Sequence, residues 1–482
     1  MKKYSTDPVI APFERLSARR PEAALVVSPR RVARVADVDA LARAAGRALE
    51  AMDIEPGRLV VMSAPNGPAF LASLVAVRRR DAIAVLADAA APEAERERIA
   101  ARLGAAAVLV CRDAWPAGPA SWSARRVAAR PAVYEGAGFA KLTSGSSGEP
   151  SAILATSEAL AADDDALFGS MGLRDDDRFV AAIPFSHSYG LSSLVMPALR
   201  RGSMLVLPEK GGPWAPLDAA RAVGATVFPT VPLYLRTIGD LAETPPRPAT
   251  LRLVLSAGAT LPSPIAARFR EAFGLPVHVF YGASEAGGIC YDREGGAAER
   301  GTVGTPVDGV RLDLRGDDGS EGLAYGFAEG VVVVRSPAVA LRHVPEARAS
   351  LGGGTFVSGD QATWTPSGEL RLLGRLDAWI NVGGKKVNPR EVEAVLASLP
   401  GVREAVVLGV PRSGGLTETV RAVVACDTSR MSYAEVAAWC RERLSGHKVP
   451  RSIVLVEEIP RTDRGKADRA ALLAAITPAT RR

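Results

Sequence analysis

The chain has 482 residues, 48% of them hydrophobic and 23% charged, a balance that gives a globular protein of roughly two or three domains and excludes the disordered and fibrous classes. Its net charge is +6, but the arginines are dispersed, Arg78-Arg79-Arg80 being the densest run, and aromatic residues make up only 5%; this excludes a nucleic-acid-binding face and reads as a solvated basic surface that favours anionic small molecules. Cys111, Cys290, Cys426 and Cys440 form no CxxC pair, residues 1–8 carry no apolar signal region and no long apolar run follows, so the expected compartment is the cytoplasm, without disulfides, a structural metal or a membrane partner.

In chain order, residues 37–52 place Val38, Leu41, Ala45 and Leu49 at helical spacing, and 92–103 do likewise. Short Val/Ile/Leu runs at 58–63, 82–86, 105–111 and 204–207 read as strands between such helices. Helix and strand taking turns predicts a mostly parallel sheet covered on both faces. Prolines at 213–216 and 245–248 punctuate loops, and an apolar strand is expected at 251–255. After Gly301 the texture changes to short strands at 310–314, 330–335 and 369–373 with a turn at 316–319, a β-rich subdomain. From Asp377 a compact α+β unit follows, with helices at 389–399 and 433–444 and strands at 402–410, 420–426 and 453–456. The predicted fold class is α/β: a large N-terminal domain (1–376) of mostly parallel sheets layered with helices plus the β-rich subdomain, and a small α+β C-terminal domain (377–482).

The most chemically loaded segment is 143–151, Thr-Ser-Gly-Ser-Ser-Gly-Glu-Pro-Ser, placed after the short run 138–142. Gly145 and Gly148 let the backbone turn tightly and bring N–H groups close to an anion, while Thr143, Ser144, Ser146 and Ser147 add hydroxyl donors. No GK[ST] ending follows, so this is not the P-loop of the common NTPases. Such a run also serves as a flexible surface loop.

Further segments in fixed order decide between the two: Pro184-Phe185-Ser186-His187-Ser188-Tyr189-Gly190, Tyr281-Gly282-Ala283-Ser284-Glu285, Ser358-Gly359-Asp360, Gly374-Arg375-Leu376-Asp377, the stretch Gly383-Gly384-Lys385-Lys386-Val387-Asn388-Pro389-Arg390-Glu391, and Pro460-Arg461-Thr462-Asp463-Arg464-Gly465-Lys466. Together with the early Ala64-Pro65-Asn66 they span most of the chain, which thereby resembles the adenylate-forming superfamily of acyl-CoA synthetases, stand-alone adenylation domains and luciferase-like ligases. The resemblance implies an ATP- and Mg²⁺-dependent acid–thiol ligase that first forms acyl-AMP and pyrophosphate, then passes the acyl group to the thiol of CoA or of a phosphopantetheine. It implies that Lys466 is a mobile cation bridging carboxylate and α-phosphate, that Glu285 holds Mg²⁺, and that Ser284 hydrogen-bonds the α-phosphate. Tyr281, beside Gly282, is to stack on adenine, Ser256, Gly258 and Ala259 to line the adenine pocket, Asp360 to accept the ribose hydroxyls with Arg375 in support, and His187 to gate the carboxylate site. The C-terminal domain is to swing about Asp377, bringing Gly383 and Gly384 to the border of a thiol tunnel.

The chain departs from the family pattern where Ser151 replaces the lysine that ends the phosphate loop, where Asn381 stands for a basic residue, where Leu341-Arg342-His343 replaces Gly-Tyr-Trp, and where Ser284 replaces threonine. Weaker ATP binding, or compensation by an arginine elsewhere in the chain, is expected from Ser151, not loss of the chemistry. No aspartate stands near 185–187 to hold an α-ammonium, which favours an aryl, short or medium acyl acid as the small-molecule substrate. Loading of a carrier protein, and a non-catalytic nucleotide-binding role, are the competing readings. The expected assembly is a monomer or homodimer.

Overall fold

The computed structural model describes residues 6–127, 132–144, 149–209, 211–239, 241, 245–316, 321–322, 329–375, 380–387, 389–412, 417–460 and 472. Two large sheets form the N-terminal part. In the first, seven strands run in the order Arg342–Val344, Pro150–Ala155, Phe139–Ser144, Ile83–Ala87, Leu59–Ser63, Ala107–Cys111 and Trp122–Arg126. Its centre is parallel and its outer pairs are antiparallel. The second has nine strands, with a parallel centre running from Ala24–Val27 to Val277–Ala283 and antiparallel hairpins at each edge. The expected alternation of helix and strand is therefore present, and its parallel strands are near-continuous apolar runs, such as the fully buried Leu59–Ser63 and Ile83–Ala87, because both faces are covered.

The helix expected at 37–52 forms at Val35–Glu50 and buries Val38, Ala42, Ala45 and Leu49. The one expected at 92–103 forms at Glu93–Leu103 and stops at Gly104, whose φ of 67° is the left-handed conformation that terminates helices. A third helix, Pro68–Arg78, lies between them in sequence and is buried at every position. Its side chains are apolar all round, so no amphipathic period announces it. The β-rich subdomain is a six-stranded antiparallel sheet that includes Arg311–Arg315, Gly330–Arg335, Thr355–Trp364 and Leu370–Arg375. In the C-terminal unit, Val402–Pro411, Glu418–Cys426 and Ser452–Val456 form one sheet, flanked by the helices Pro389–Ala397 and Tyr433–Arg443. The latter starts with a capping box from Ser432 and Glu435. Asp377, the expected hinge, lies outside the described residues.

The C-terminal unit rests on the large part through charge. Lys448 Nζ lies 3.0 Å from Glu95 of the helix Glu93–Leu103 and 2.8 Å from Glu391, and Ser445 Oγ donates to the same Glu95 at 2.5 Å. Lys385 reaches across to Asp88 at 2.9 Å.

Asn66 shows how the fold aims the chain toward its cleft. Its side-chain amide donates to Ile183 O at 2.8 Å, and its side-chain oxygen accepts from Phe185 N at 2.8 Å, so one residue satisfies both backbone groups of the buried turn that leads into His187. Asn66→Ala strips both partners at once and is expected to lower stability by about 2 kcal/mol or more. Urea unfolding of the variant measures this, and an unchanged midpoint contradicts the clamp.

Candidate functional site

The site lies where strands of the second sheet end and face the first sheet. Thr143 and Ser144 close the strand Phe139–Ser144, and Ser151 starts the return, with Thr143 and Ser151 paired across the ladder. Their hydroxyls are 3.1 Å apart, and Ser151 Oγ also donates to Thr143 O at 3.2 Å. Gly145, Ser146, Ser147 and Gly148 lie outside the described residues. Ser151 thus closes the base of the loop and presents no charge to it.

Two of the expected segments meet directly. Ser188 Oγ donates to Ser284 Oγ at 2.8 Å. Beneath that contact the wholly buried Asp163, from the helix Ser157–Ser170, accepts from Ser192 Oγ at 2.6 Å and from Gly288 N at 2.8 Å. It therefore ties the segment after His187 to the turn after Glu285. A Cβ on Gly287 would stand 2.4 Å from Asp163 Oδ1, so only glycine fits there. Burial pushes the Asp163 carboxyl above its usual range, against the pull of Gly288, Ser192 and Lys141.

A third segment joins through Tyr281, whose hydroxyl donates to Asp360 Oδ2 at 2.7 Å. Burial and then the Asp360 charge raise the phenol well above its usual range, so it remains a donor. Asp360 is further held by its own N–H bonded to Ser358 Oγ at 3.0 Å, and it pairs across the ladder with Arg375. Gly282 is required as glycine, because a Cβ would stand 2.7 Å from Gly287 O. Ser256, at the end of the strand Leu253–Ser256, is 1% exposed, and its Oγ has no hydrogen-bond partner among the described residues. A buried hydroxyl without a partner beside Gly258 and Ala259 fits a ligand that supplies one.

Glu285 receives Ala340 N on its carbonyl at 2.8 Å, and its Oε1 lies 3.8 Å from His343 Nε2. His343 is 2% exposed, and burial followed by the nearby Arg348 brings its pKa down to about 4. The imidazole is neutral at pH 7 and so forms no ion pair with Glu285. Among the described residues no group of three or more His, Cys, Asp or Glu could hold a metal by itself. A single carboxylate suits Mg²⁺, which takes its other ligands from phosphate and water.

The C-terminal unit enters the same place. The turn Gly383-Gly384, at φ 61° and 84°, is built by Gly383 N donating to Thr417 Oγ1 at 2.6 Å and Gly384 N to Asn381 Oδ1 at 3.0 Å. Asn381, where the sequence departs from the family, is thus the turn's own support. A Cβ on Gly383 would stand 3.1 Å from Leu233, one on Gly384 would stand 3.3 Å from Val231, and one on Gly258 would stand 3.7 Å from Gly384 O. Next to this turn Lys385 pairs with Asp88, and His187 Nε2 lies 3.8 Å from the same carboxylate. His187 and Lys385 hold the Asp88 carboxyl far below its usual range.

The structure therefore links the expected segments by contact: His187 to the Gly383-Gly384 turn through Asp88 and Lys385, Gly258 to Gly384, Ser188 to Ser284, and Tyr281 to Asp360, with Ser256, Ala259, Gly282 and Glu285 beside them in the chain. Lys466 lies outside the described residues. Sequence reasoning missed Asp163, His343, Asp88 and Lys385. For His343 the signal was present as a departure from the family pattern, whereas Asp163 is one of three successive aspartates on a helix, and nothing local separates it from Asp164, which is buried as well, or from the exposed Asp165.

Profiles of known families match the chain in two parts: that of the AMP-binding enzyme over residues 13–142 and 137–342, and that of the AMP-binding enzyme C-terminal domain over 391–466. A feruloyl-CoA synthase of Amycolatopsis sp is 32% identical over 470 residues, covering 91% of this chain and 90% of that protein. Among solved structures, an o-succinylbenzoate CoA synthetase from Bacillus subtilis bound with its product analogue superposes with a TM-score of 0.81 at 22% identity, over 96% of this chain and 98% of that one. The same synthetase in complex with its acyl-adenylate gives 0.66, over 96% and 97%. An amide bond synthetase from Marinactinospora thermotolerans gives 0.79 at 26% identity, over 94% and 97%.

The neutral His343 has a pH signature. Its pKa falls from 6.5 to about 4 on folding, so between those values the unfolded chain binds the proton and the fold does not. The stability is complete above pH 6.5 and is lost as pH falls toward 4, by about 3 kcal/mol. His343→Gln is expected to flatten that acid limb in a pH series of denaturant melts, and an unaltered limb contradicts the neutral imidazole.

Proposed function

We propose a substrate class and a division of labour for a chain that belongs to the AMP-binding enzyme family and is an ATP-dependent acid–thiol ligase making acyl-CoA through acyl-AMP. The acid is an aryl or short- to medium-chain carboxylate without an α-amine. One observation carries this: the segment 184–190 around His187 contains no Asp or Glu to hold an ammonium group. The name of the feruloyl-CoA relative points to aryl acids within that class.

In the first half-reaction the substrate carboxylate oxygen bonds to the α-phosphorus as the bond to the β-phosphate oxygen breaks, releasing pyrophosphate. Two anions must meet, so donors and cations are needed where charge builds. Thr143, Ser144 and the loop 145–148 receive the phosphates, Ser284 the α-phosphate, and Asp360 with Arg375 the ribose. The face of Tyr281 receives adenine while its hydroxyl stays on Asp360. Glu285 would hold Mg²⁺, which neutralises phosphate charge when bound. Lys466 delivers the ammonium that bridges the two reacting anions.

In the second half the thiol attacks the acyl carbon and AMP leaves. The approach of Gly383 and Gly384 to Val231 and Leu233 supports assigning the described pose to this half, with the C-terminal unit turning about Asp377 to reach the other. The higher TM-score against the product-analogue complex agrees with that assignment.

Exchange of labelled pyrophosphate into ATP, run with a panel of aryl and aliphatic acids and followed by CoA addition, tests the reading. Aryl acids are expected to support exchange and then yield the thioester. Exchange with α-amino acids alone overturns the substrate class. Lys466→Ala is expected to cut exchange by about 100-fold or more while thioester formation from supplied acyl-AMP falls far less; equal losses remove the role given to Lys466.

A further inference from the structure

A lysine stands in the core where the site described above gives it no task. Lys141 lies in the strand Phe139–Ser144 and is 3% exposed. Across four neighbouring strands it occupies one row with Leu86, Ile153 and His343, all of them buried to within 2% of complete. Directly paired residues share a face, and so do residues two apart on a strand. Lys141 therefore shares its face with Thr143 and Ser151, one pleat from the base of the phosphate loop.

A methionine or leucine would fill this row at no electrostatic cost, whereas a buried ammonium carries a heavy desolvation penalty unless something repays it. Among the described residues it makes no hydrogen bond or contact ion pair. The carboxylates whose fields reach it are Asp163 and Glu285. The Asp163 oxygens are engaged by Ser192 and Gly288, and Glu285 faces the cleft. Burial lowers the Lys141 pKa against the pull of those two carboxylates, so the amine stands one pleat from the place where Ser151 supplies no cation, and an anion bound there would hold its proton.

We propose that Lys141 is a positioning cation for the β- and γ-phosphates of ATP, supplying from within the strand the positive charge that Ser151 does not supply at the loop's end. This rests on the assignment of the phosphate loop and Glu285 to the nucleotide site. Shielded from water, an ammonium held there by a bound triphosphate acts over one pleat's distance with little screening. It discriminates by charge: a triphosphate feels it and a monophosphate hardly does.

Calorimetric binding of α,β-methylene-ATP with Mg²⁺, and of AMP, to the intact protein reads this without any need for the acid. Lys141→Met is expected to weaken the triphosphate analogue about tenfold and AMP by less than about twofold. Lys141→Met combined with Ser151→Lys is expected to regain most of the loss. Ser151→Lys alone is expected to tighten the analogue by no more than about twofold, since the charge is already present. Equal weakening of both nucleotides, no weakening of either, or failure of Ser151→Lys to rescue the folded double variant overturns the proposal. So does a tenfold gain from Ser151→Lys alone, an arm that stands even if Lys141→Met does not fold. Glu285→Gln is the control: if it leaves analogue binding unchanged the phosphate site itself is misplaced, whereas a loss there with none in Lys141→Met refutes the lysine's role alone.

Discussion

A carboxylate shut away from water holds the cleft in register. Asp163 accepts one hydrogen bond from the segment after His187 and one from the turn after Glu285, so two stretches of chain far apart in sequence share a single anchor. Above it the Ser188–Ser284 hydrogen bond and the Tyr281–Asp360 hydrogen bond extend the same alignment to the β-rich subdomain. A buried acid with both oxygens satisfied fixes geometry more tightly than apolar packing, because any slip leaves a charge or an amide unpaired.

Around this anchor the charges are distributed by need. Glu285 is left beside a neutral imidazole, which forms no ion pair with it. Asp88 is paired with Lys385, a residue of the C-terminal unit, so in the described pose that unit compensates the charge of the carboxylate next to His187. Glu95 and Glu391 share Lys448 at the same boundary. In the described pose these ion pairs join the small unit to the large part.

Much of this was legible in the sequence, and the reasons it was legible differ. Strands such as Leu59–Ser63 and helices such as Val35–Glu50 follow from period and length, with ends displaced by about two residues. The residues assigned to the nucleotide come from short motifs, and the structure brings some of those motifs into contact, as the Ser188–Ser284 and Tyr281–Asp360 hydrogen bonds show. The buried helix Pro68–Arg78 was not legible, since a stripe that is apolar all round has no phase. Asp163 was hidden among Asp163-Asp164-Asp165, three identical side chains of which Asp165 stays largely in solvent. His343 reaches Glu285 only through the pairing of Arg342–Val344 with Pro150–Ala155, a contact that no local pattern encodes. Lys141 carried a signal that was passed over: a lysine within an apolar strand is rare without a purpose.

The anchor itself is open to direct test. Asp163→Ala leaves Ser192 and Gly288 without their partner and frees the two segments to shift against each other. Carboxylate-dependent exchange of labelled pyrophosphate into ATP, measured on the variant at a temperature where circular dichroism shows it folded, is predicted to fall on the order of 100-fold, the loss expected when reacting groups are misplaced by about an ångström. Exchange at the wild-type rate in a folded Asp163→Ala protein would show that the two segments keep their register without it, and would contradict the account.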